Sequence, residues 1–204
     1  MIDTETTGFS PRTGDRVIEI AVVRLDGDGE VVDTWETLLN PGRPVGPTHV
    51  HGLTAADVEH APRFTEVAEH VAALLAGRVV VGHNVDFDLR FLENEFRLAQ
   101  FPFRVPGRLC TQQLAKAHLP GPKRTLAVCC EQAGVINEHA HSALGDTIAT
   151  AELFRFFLRQ HPAGVPWVEE LAAAALTAPA DDLFAELFDV ALTAPRTLSR
   201  SALA

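Results

Sequence analysis

The chain has 204 residues, 47% of them apolar, and a formal net charge of −10. That suits one ordinary domain plus an appendage, and no apolar run is long enough to predict a transmembrane segment. The start lacks the basic and apolar regions of a secretory signal, and Cys110, Cys129 and Cys130 have no zinc-type spacing; a cytoplasmic chain with thiols serving as small buried apolar groups is expected.

Asp3-Thr4-Glu5-Thr6-Thr7-Gly8 opens the chain. On a β-strand, Asp3 and Glu5 project to one face, and two carboxylates that close repel unless a divalent cation joins them. An acidic edge on a solvated strand is the simpler alternative for this motif alone. Gly8 frees the backbone to turn. Residues 17–25 and 31–39 read as strands around the hairpin signal Asp26-Gly27-Asp28-Gly29. Residues 40–47, with three prolines and two glycines, read as an extended loop.

Helical spacing over 64–76 ends at Gly77, and 78–82 is a short apolar strand. Asn84 or Asp86 caps a helix that runs to about Leu98. Helices are predicted over 111–118, 125–133 and 142–160. The order implies an α/β domain over 1–161 whose sheet mixes antiparallel and parallel strands. Residues 162–204 form a helical extension, with helices at 166–176 and 181–192 and the segment Ala-Leu-Thr-Ala-Pro repeated at 175–179 and 191–195.

Three more segments join the opening pair. His83-Asn84-Val85-Asp86-Phe87-Asp88 follows the apolar strand and sets Asp88 in the first turn of a helix. His141-Ser142-Ala143-Leu144-Gly145-Asp146 opens the last long helix, so His141 and Asp146 share its first turns. His51-Gly52-Leu53-Thr54 lies between the hairpin and the first helix.

With these motifs in order, the chain resembles the DEDDh 3′→5′ exonuclease family, that of the proofreading epsilon subunits of bacterial replicative polymerases, ribonuclease T and oligoribonuclease. The resemblance covers roughly residues 1–160 and implies a ribonuclease H-like fold. It implies that Asp3, Glu5, Asp88 and Asp146 bind two divalent cations, Mg²⁺ or Mn²⁺, and that His141 is the general base. The sister group uses a tyrosine in place of that histidine, and this chain has no tyrosine. Four carboxylates suit hard cations, two of which can activate water and stabilise both oxygens of a phosphodiester displacement. Histidine changes charge near neutral pH and suits proton abstraction.

Around the site, Thr6, Gly8, Phe9, His51, Asn84, Phe87 and Phe91 are expected at the substrate. Phe9 is a wedge candidate, Phe87 and Phe91 are candidate base-stacking rings, and His51 contacts substrate or orders its loop. Asn84 has helix capping as its simpler role. The pairs His49/His51 and His139/His141 also have zinc-like spacing, which the carboxylate set disfavours.

The implied substrate is a nucleic-acid 3′ end, single-stranded DNA before RNA. The net charge opposes a nucleic-acid partner, yet residues 96–130 contain no Asp or Glu and carry Arg97, Arg104, Arg108, Lys116, Lys123 and Arg124. Solvated helix faces are the alternative for that block. A partner-bound module with weak activity, docked on a polymerase subunit through the C-terminal helices, is the competing class. Only Met1 and Ile2 precede Asp3, so a shortened first strand is expected. On that reading, an in-frame apolar extension raises stability and activity, and equal behaviour of both forms would reject it.

Overall fold

The computed structural model describes residues 1–105, 107–160, 167–178 and 198–199. The strands β1 (Ile2–Thr6), β2 (Val17–Leu25) and β3 (Val31–Leu38) form an antiparallel meander in that order. Asp26 closes the β2–β3 hairpin by accepting bonds from the backbone N–H groups of Asp28 (3.0 Å) and Glu30 (2.9 Å), as the short polar side chain favours. Two helical turns, α1 (Thr48–His51) and α2 (Ala55–Val58), follow the proline-rich loop. They are too short to show a period in sequence.

Beyond them the chain runs through α3 (Phe64–Leu75), β4 (Val80–Gly82), α4 (Val85–Leu98), β5 (Arg108–Cys110), α5 (Thr111–His118) and α6 (Leu126–Ala133). It continues into α7 (Ala143–Arg159) and α8 (Val168–Ala175). The expected mixture of antiparallel and parallel strands is present, as two ladders. β4 and β5 pair in parallel, separate from the meander. β4 passes close to β1, where a Cβ on Gly82 would stand 3.2 Å from the Ile2 carbonyl oxygen.

The period of two along each strand divides the core. Ile2, Ile20 and Val22 pack on the α3/α4 side with Val67, Val71, Leu89, Leu92 and Phe96. Met1 and Val23 pack on the other side with Ala151 and Phe154 of α7. Alanines 143, 149 and 151 are buried on α7 and let its backbone lie close to β2.

The register of helix and sheet is fixed by one buried carboxylate. Glu95, in the last turn of α4, is 1% exposed and takes a two-pronged bond from Arg16, Nε at 2.7 Å and Nη2 at 2.6 Å, plus the Val17 backbone N–H at 3.1 Å. Planar guanidinium matches carboxylate in this geometry.

The C-terminal segment packs on the domain where it is described. Trp167 lies 5.2 Å from Phe154 between ring centroids, Thr177 Oγ1 accepts from Gly77 N–H at 3.1 Å, and Leu198 O accepts from Leu38 N–H at 2.7 Å. The helix expected over 181–192 and the second copy of the pentapeptide lie outside the described residues. Among the described residues, no helix is long and apolar enough to cross a membrane.

Removing one partner of the buried pair leaves the other uncompensated. Glu95→Ala is therefore expected to cost about 3 kcal/mol in urea unfolding, with a Glu95→Gln variant recovering part of it. A loss below about 1 kcal/mol would show that the pair does not fix α4 on β2.

Candidate metal and nucleic-acid site

β1 delivers its carboxylates to one face. Asp3, Glu5 and Asp146 each offer a carboxylate oxygen, and these atoms lie within 4.8 Å of one another. Asp146 comes from the first turn of α7, whose start is set by Ser142: its Oγ accepts from the Gly145 N–H at 3.1 Å and donates to the His139 carbonyl at 3.0 Å. The β1–β2 register slips between Glu5 and Thr6, a bulge that ends regular pairing at the site.

Asp88 arrives from the opposite side. It is buried in the first turn of α4 and accepts a 2.7 Å bond from the hydroxyl of Thr4, the residue between the two β1 carboxylates. The structure thus groups three of the four expected carboxylates at ligand spacing and holds the fourth behind the strand.

Charge at this point is concentrated. Burial raises the Asp3 carboxyl well above its ordinary value, and Asp88, Glu5, Asp146 and Glu19 add to the rise. Burial also pushes Asp88 up to about 7, opposed by the bond from Thr4. Among the described residues no Lys or Arg forms an ion pair with Asp3, Asp88 or Asp146. Clustered oxygen donors of one sign fit a hard divalent ion such as Mg²⁺ or Mn²⁺.

Two residues that the motif reading missed complete the site. Glu19, 1% exposed, stands opposite Glu5 in the β1–β2 register and accepts the Ala143 N–H at 3.1 Å, so it ties the start of α7 to the sheet. Its sequence signal is a lone acid inside an apolar strand. Asn137 Nδ2 donates to Asp146 Oδ1 at 2.6 Å. No spacing rule marks it.

His141 is exposed in the loop before α7, with φ +67° and its backbone N–H 3.3 Å from Asp146 Oδ2. That left-handed conformation is costly for a non-glycine residue and needs support from its surroundings. The bond from the His141 N–H to Asp146 holds this loop to α7, and Gly145 lets the loop close in, since a Cβ there would meet the His139 carbonyl oxygen at 2.1 Å.

The remaining expected substrate residues divide. Phe9 is 84% exposed just past β1. Phe87 is half-buried, whereas Phe91 is 1% exposed in the core; the ring pair does not present two stacking faces, because α4 turns Phe91 inward. The Thr6 hydroxyl donates to the Gly8 carbonyl at 2.7 Å and shapes the turn. His51 is buried and accepts the Leu53 N–H on Nδ1 at 3.1 Å, the loop-ordering alternative. Asn84 occupies the cap position of α4, as expected, with φ +75° and its carbonyl accepting the Phe87 N–H at 2.8 Å, but its side chain makes no cap bond. Asp86 pairs with Arg108 at 2.8 Å.

His83 serves structure. Its Nε2 donates to the Arg124 carbonyl at 2.7 Å, Nδ1 lies 3.0 Å from Thr111 Oγ1, and burial lowers its pKa. The basic block does not act as one surface, because Arg124 is spent on the carbonyls of Leu119, Pro120 and Lys123 and Arg108 is paired with Asp86.

The fold is an α/β domain with a candidate metal-binding cluster of carboxylates on β1 and the first turn of α7, and a further carboxylate, Asp88, in the first turn of α4. The RNase T exonuclease family model matches residues 1–154, and the chain belongs to this family. It is 38% identical over 159 residues to a DNA polymerase III subunit epsilon-like protein of Rhodobacter capsulatus, covering 76% of this chain and 23% of that protein. It is 33% identical over 158 residues to the 3′-5′ exonuclease DinG of Bacillus subtilis, covering 76% and 17%. The chain thus spans less than a quarter of the length of these two relatives. Among solved structures, Exonuclease X in complex with 5′ overhanging duplex DNA aligns with a TM-score of 0.66 and 27% identity, covering 85% of this chain and 97% of that one. Exonuclease I of E. coli in complex with a dA16 oligonucleotide shares the fold, with a TM-score of 0.70 and 20% identity over 79% of this chain and 40% of that one.

The raised carboxyls have a thermodynamic consequence. Between the unfolded value near 4 and about 7 for Asp88, the folded state binds more protons than the unfolded chain. Stability therefore falls as pH rises through that window in the absence of cation, and cation binding at higher pH restores it. In melting experiments, Tm in EDTA should drop between pH 5 and pH 8, and millimolar Mg²⁺ should raise Tm more at pH 8 than at pH 5. A Tm at pH 8 that ignores Mg²⁺ and Mn²⁺ would count against the site.

Proposed function

We propose that the chain is a metal-dependent 3′→5′ exonuclease that removes nucleoside 5′-monophosphates from the ends of single-stranded DNA, in a proofreading or repair role like that of the polymerase epsilon subunits. The observation that carries this reading is the gathering of Asp3, Glu5 and Asp146 within 4.8 Å, with Asp88 behind them. The names of the two relatives support a 3′→5′ polarity and a polymerase-associated role, and the DNA in the Exonuclease X complex supports DNA as the substrate.

Bound divalent cations supply Lewis-acid stabilisation of the phosphoryl oxygens and acidify a water. Asp3, Glu5 and Asp146 would hold a divalent cation, and Asp88 would serve a second. His141 takes the proton of the attacking water on a ring nitrogen, from a loop open to solvent. The water oxygen bonds to phosphorus, the bond from phosphorus to the 3′ oxygen of the preceding nucleotide breaks, and the terminal nucleotide leaves with its 5′-phosphate. Phe9 and Phe87 flank the terminal base. Glu19 and Asn137 touch no reacting atom; they hold α7 and Asp146 in place.

Asp146→Asn should lower kcat on a single-stranded 3′ end by on the order of 10³-fold, and His141→Ala by about 10²–10⁴-fold, with both variants folded. EDTA should stop the reaction. Matched DNA and RNA oligonucleotides assayed in parallel test the substrate, and faster RNA cleavage would transfer the reading to RNA trimming. Full activity of Asp146→Asn would reject the site.

A further inference from the structure

Outside the carboxylate cluster, a charged groove of about 650 Å³ lies between the loop after β1 and the solvent side of α4. Arg12, Arg90 and Arg97 line it with Ser10, Asn94 and a single carboxylate, Glu93. Arg90 and Arg97 are seven residues apart, two helical turns along one face, or about 10 Å.

What sets these three arginines apart is that they share one groove; among the described residues, arginines elsewhere without a carboxylate partner, such as Arg63, Arg104 and Arg159, do not line it. Arg16, Arg24, Arg43, Arg108 and Arg155 each pair with a carboxylate. Among the described residues, Arg12, Arg90 and Arg97 form no such pair. Arg90 donates Nε to the Asp86 carbonyl at 3.0 Å and Arg97 donates to Asn94 Oδ1 at 2.9 Å, which leaves most of each five-donor guanidinium available. Three exposed cations without a carboxylate partner converge here in a chain of net charge −10, an arrangement suited to an external polyanion.

The groove neighbours the site through Phe9 and Phe87. Ser10 follows the exposed Phe9, five residues after Glu5. Arg90 is two residues from Asp88, and its guanidinium carbon lies 5.9 Å from the centre of the Phe87 ring. We propose that this groove holds the sugar–phosphate backbone of the single strand whose 3′ end occupies the carboxylate site, with Arg12, Arg90 and Arg97 on successive phosphates upstream of the scissile bond. This rests on the exonuclease reading above. Arginine suits such contacts by its fork geometry, and the contacts carry no sequence preference.

The test is fluorescence anisotropy with a 12-nucleotide single-stranded DNA labelled at its 5′ end, in Ca²⁺ to suppress cleavage. The triple variant Arg12→Ala/Arg90→Ala/Arg97→Ala should raise Kd at least tenfold and flatten the slope of log Kd against log salt by about 2, from about 0.7 per phosphate contact on a single strand. Replacing the same three residues by Lys should recover most of the slope, and Arg159→Ala, at the far end of α7, should leave Kd within twofold. In cleavage assays the triple alanine variant should lose at least tenfold more kcat/KM on the 12-nucleotide strand than on the p-nitrophenyl ester of thymidine 5′-monophosphate. Wild-type Kd and salt slope in the triple variant would overturn the groove. A wild-type protein that binds the strand through these arginines yet cleaves neither substrate would overturn the nuclease reading and uphold the groove.

Discussion

The Asp3 carboxyl is buried among like charges: burial raises its proton affinity most, and Asp88, Glu5, Asp146 and Glu19 raise it further. Repulsion of this kind is tolerable only if other interactions hold the groups together or a cation joins them. The main elements of the domain serve that end. β1 supplies two acids on one face, α7 adds Asp146 on that face, and α4 brings Asp88 to the other, where Thr4 receives it. The Arg16–Glu95 pair anchors the last turn of α4 on β2, so the helix that carries Asp88 is fastened at both ends.

Support for the site lies largely in groups that do no chemistry. Glu19 fastens the start of α7 to β2, Asn137 fixes one oxygen of Asp146, and the bare Cα of Gly145 leaves room for the His139 carbonyl. The loop they frame carries His141, with a left-handed backbone and its N–H on Asp146, at the lip of the site. Asp15 performs a similar service for the turn after β1: it accepts from the Ser10 N–H at 3.1 Å and pairs with Arg43 at 3.0 Å, so the exposed Phe9 stands on an ordered loop. Rigid elements and a supporting layer of bonds keep ligand oxygens in place before a cation arrives.

Much of this was legible in sequence because it depends on local periods. Two residues along a strand put Asp3 and Glu5 on one face, and a helix start after an apolar strand placed Asp88 and Asp146 in first turns. The β2–β3 hairpin followed from its Asp-Gly pairs. What sequence did not show depends on tertiary register. Glu19 meets the start of α7 across 124 residues, and Asn137 reaches Asp146 through an irregular loop. Phe91 shares the helical stripe of the core, so proximity to Phe87 misassigned it to the substrate. The basic block of 96–130 was visible as composition, but folding pairs or spends several of its members. The converging cations instead come partly from Arg12 and Arg90, which no run of like charge marks.

The central claim is that the carboxylates at the end of β1 form a divalent-cation site. Crystals grown with Mn²⁺ and measured at a wavelength where manganese scatters anomalously test it most directly. The account predicts strong anomalous peaks within about 2.5 Å of carboxylate oxygens of Asp3, Glu5 and Asp146, and a second peak toward Asp88. Anomalous peaks confined to other surfaces, with none between these carboxylates, would contradict it.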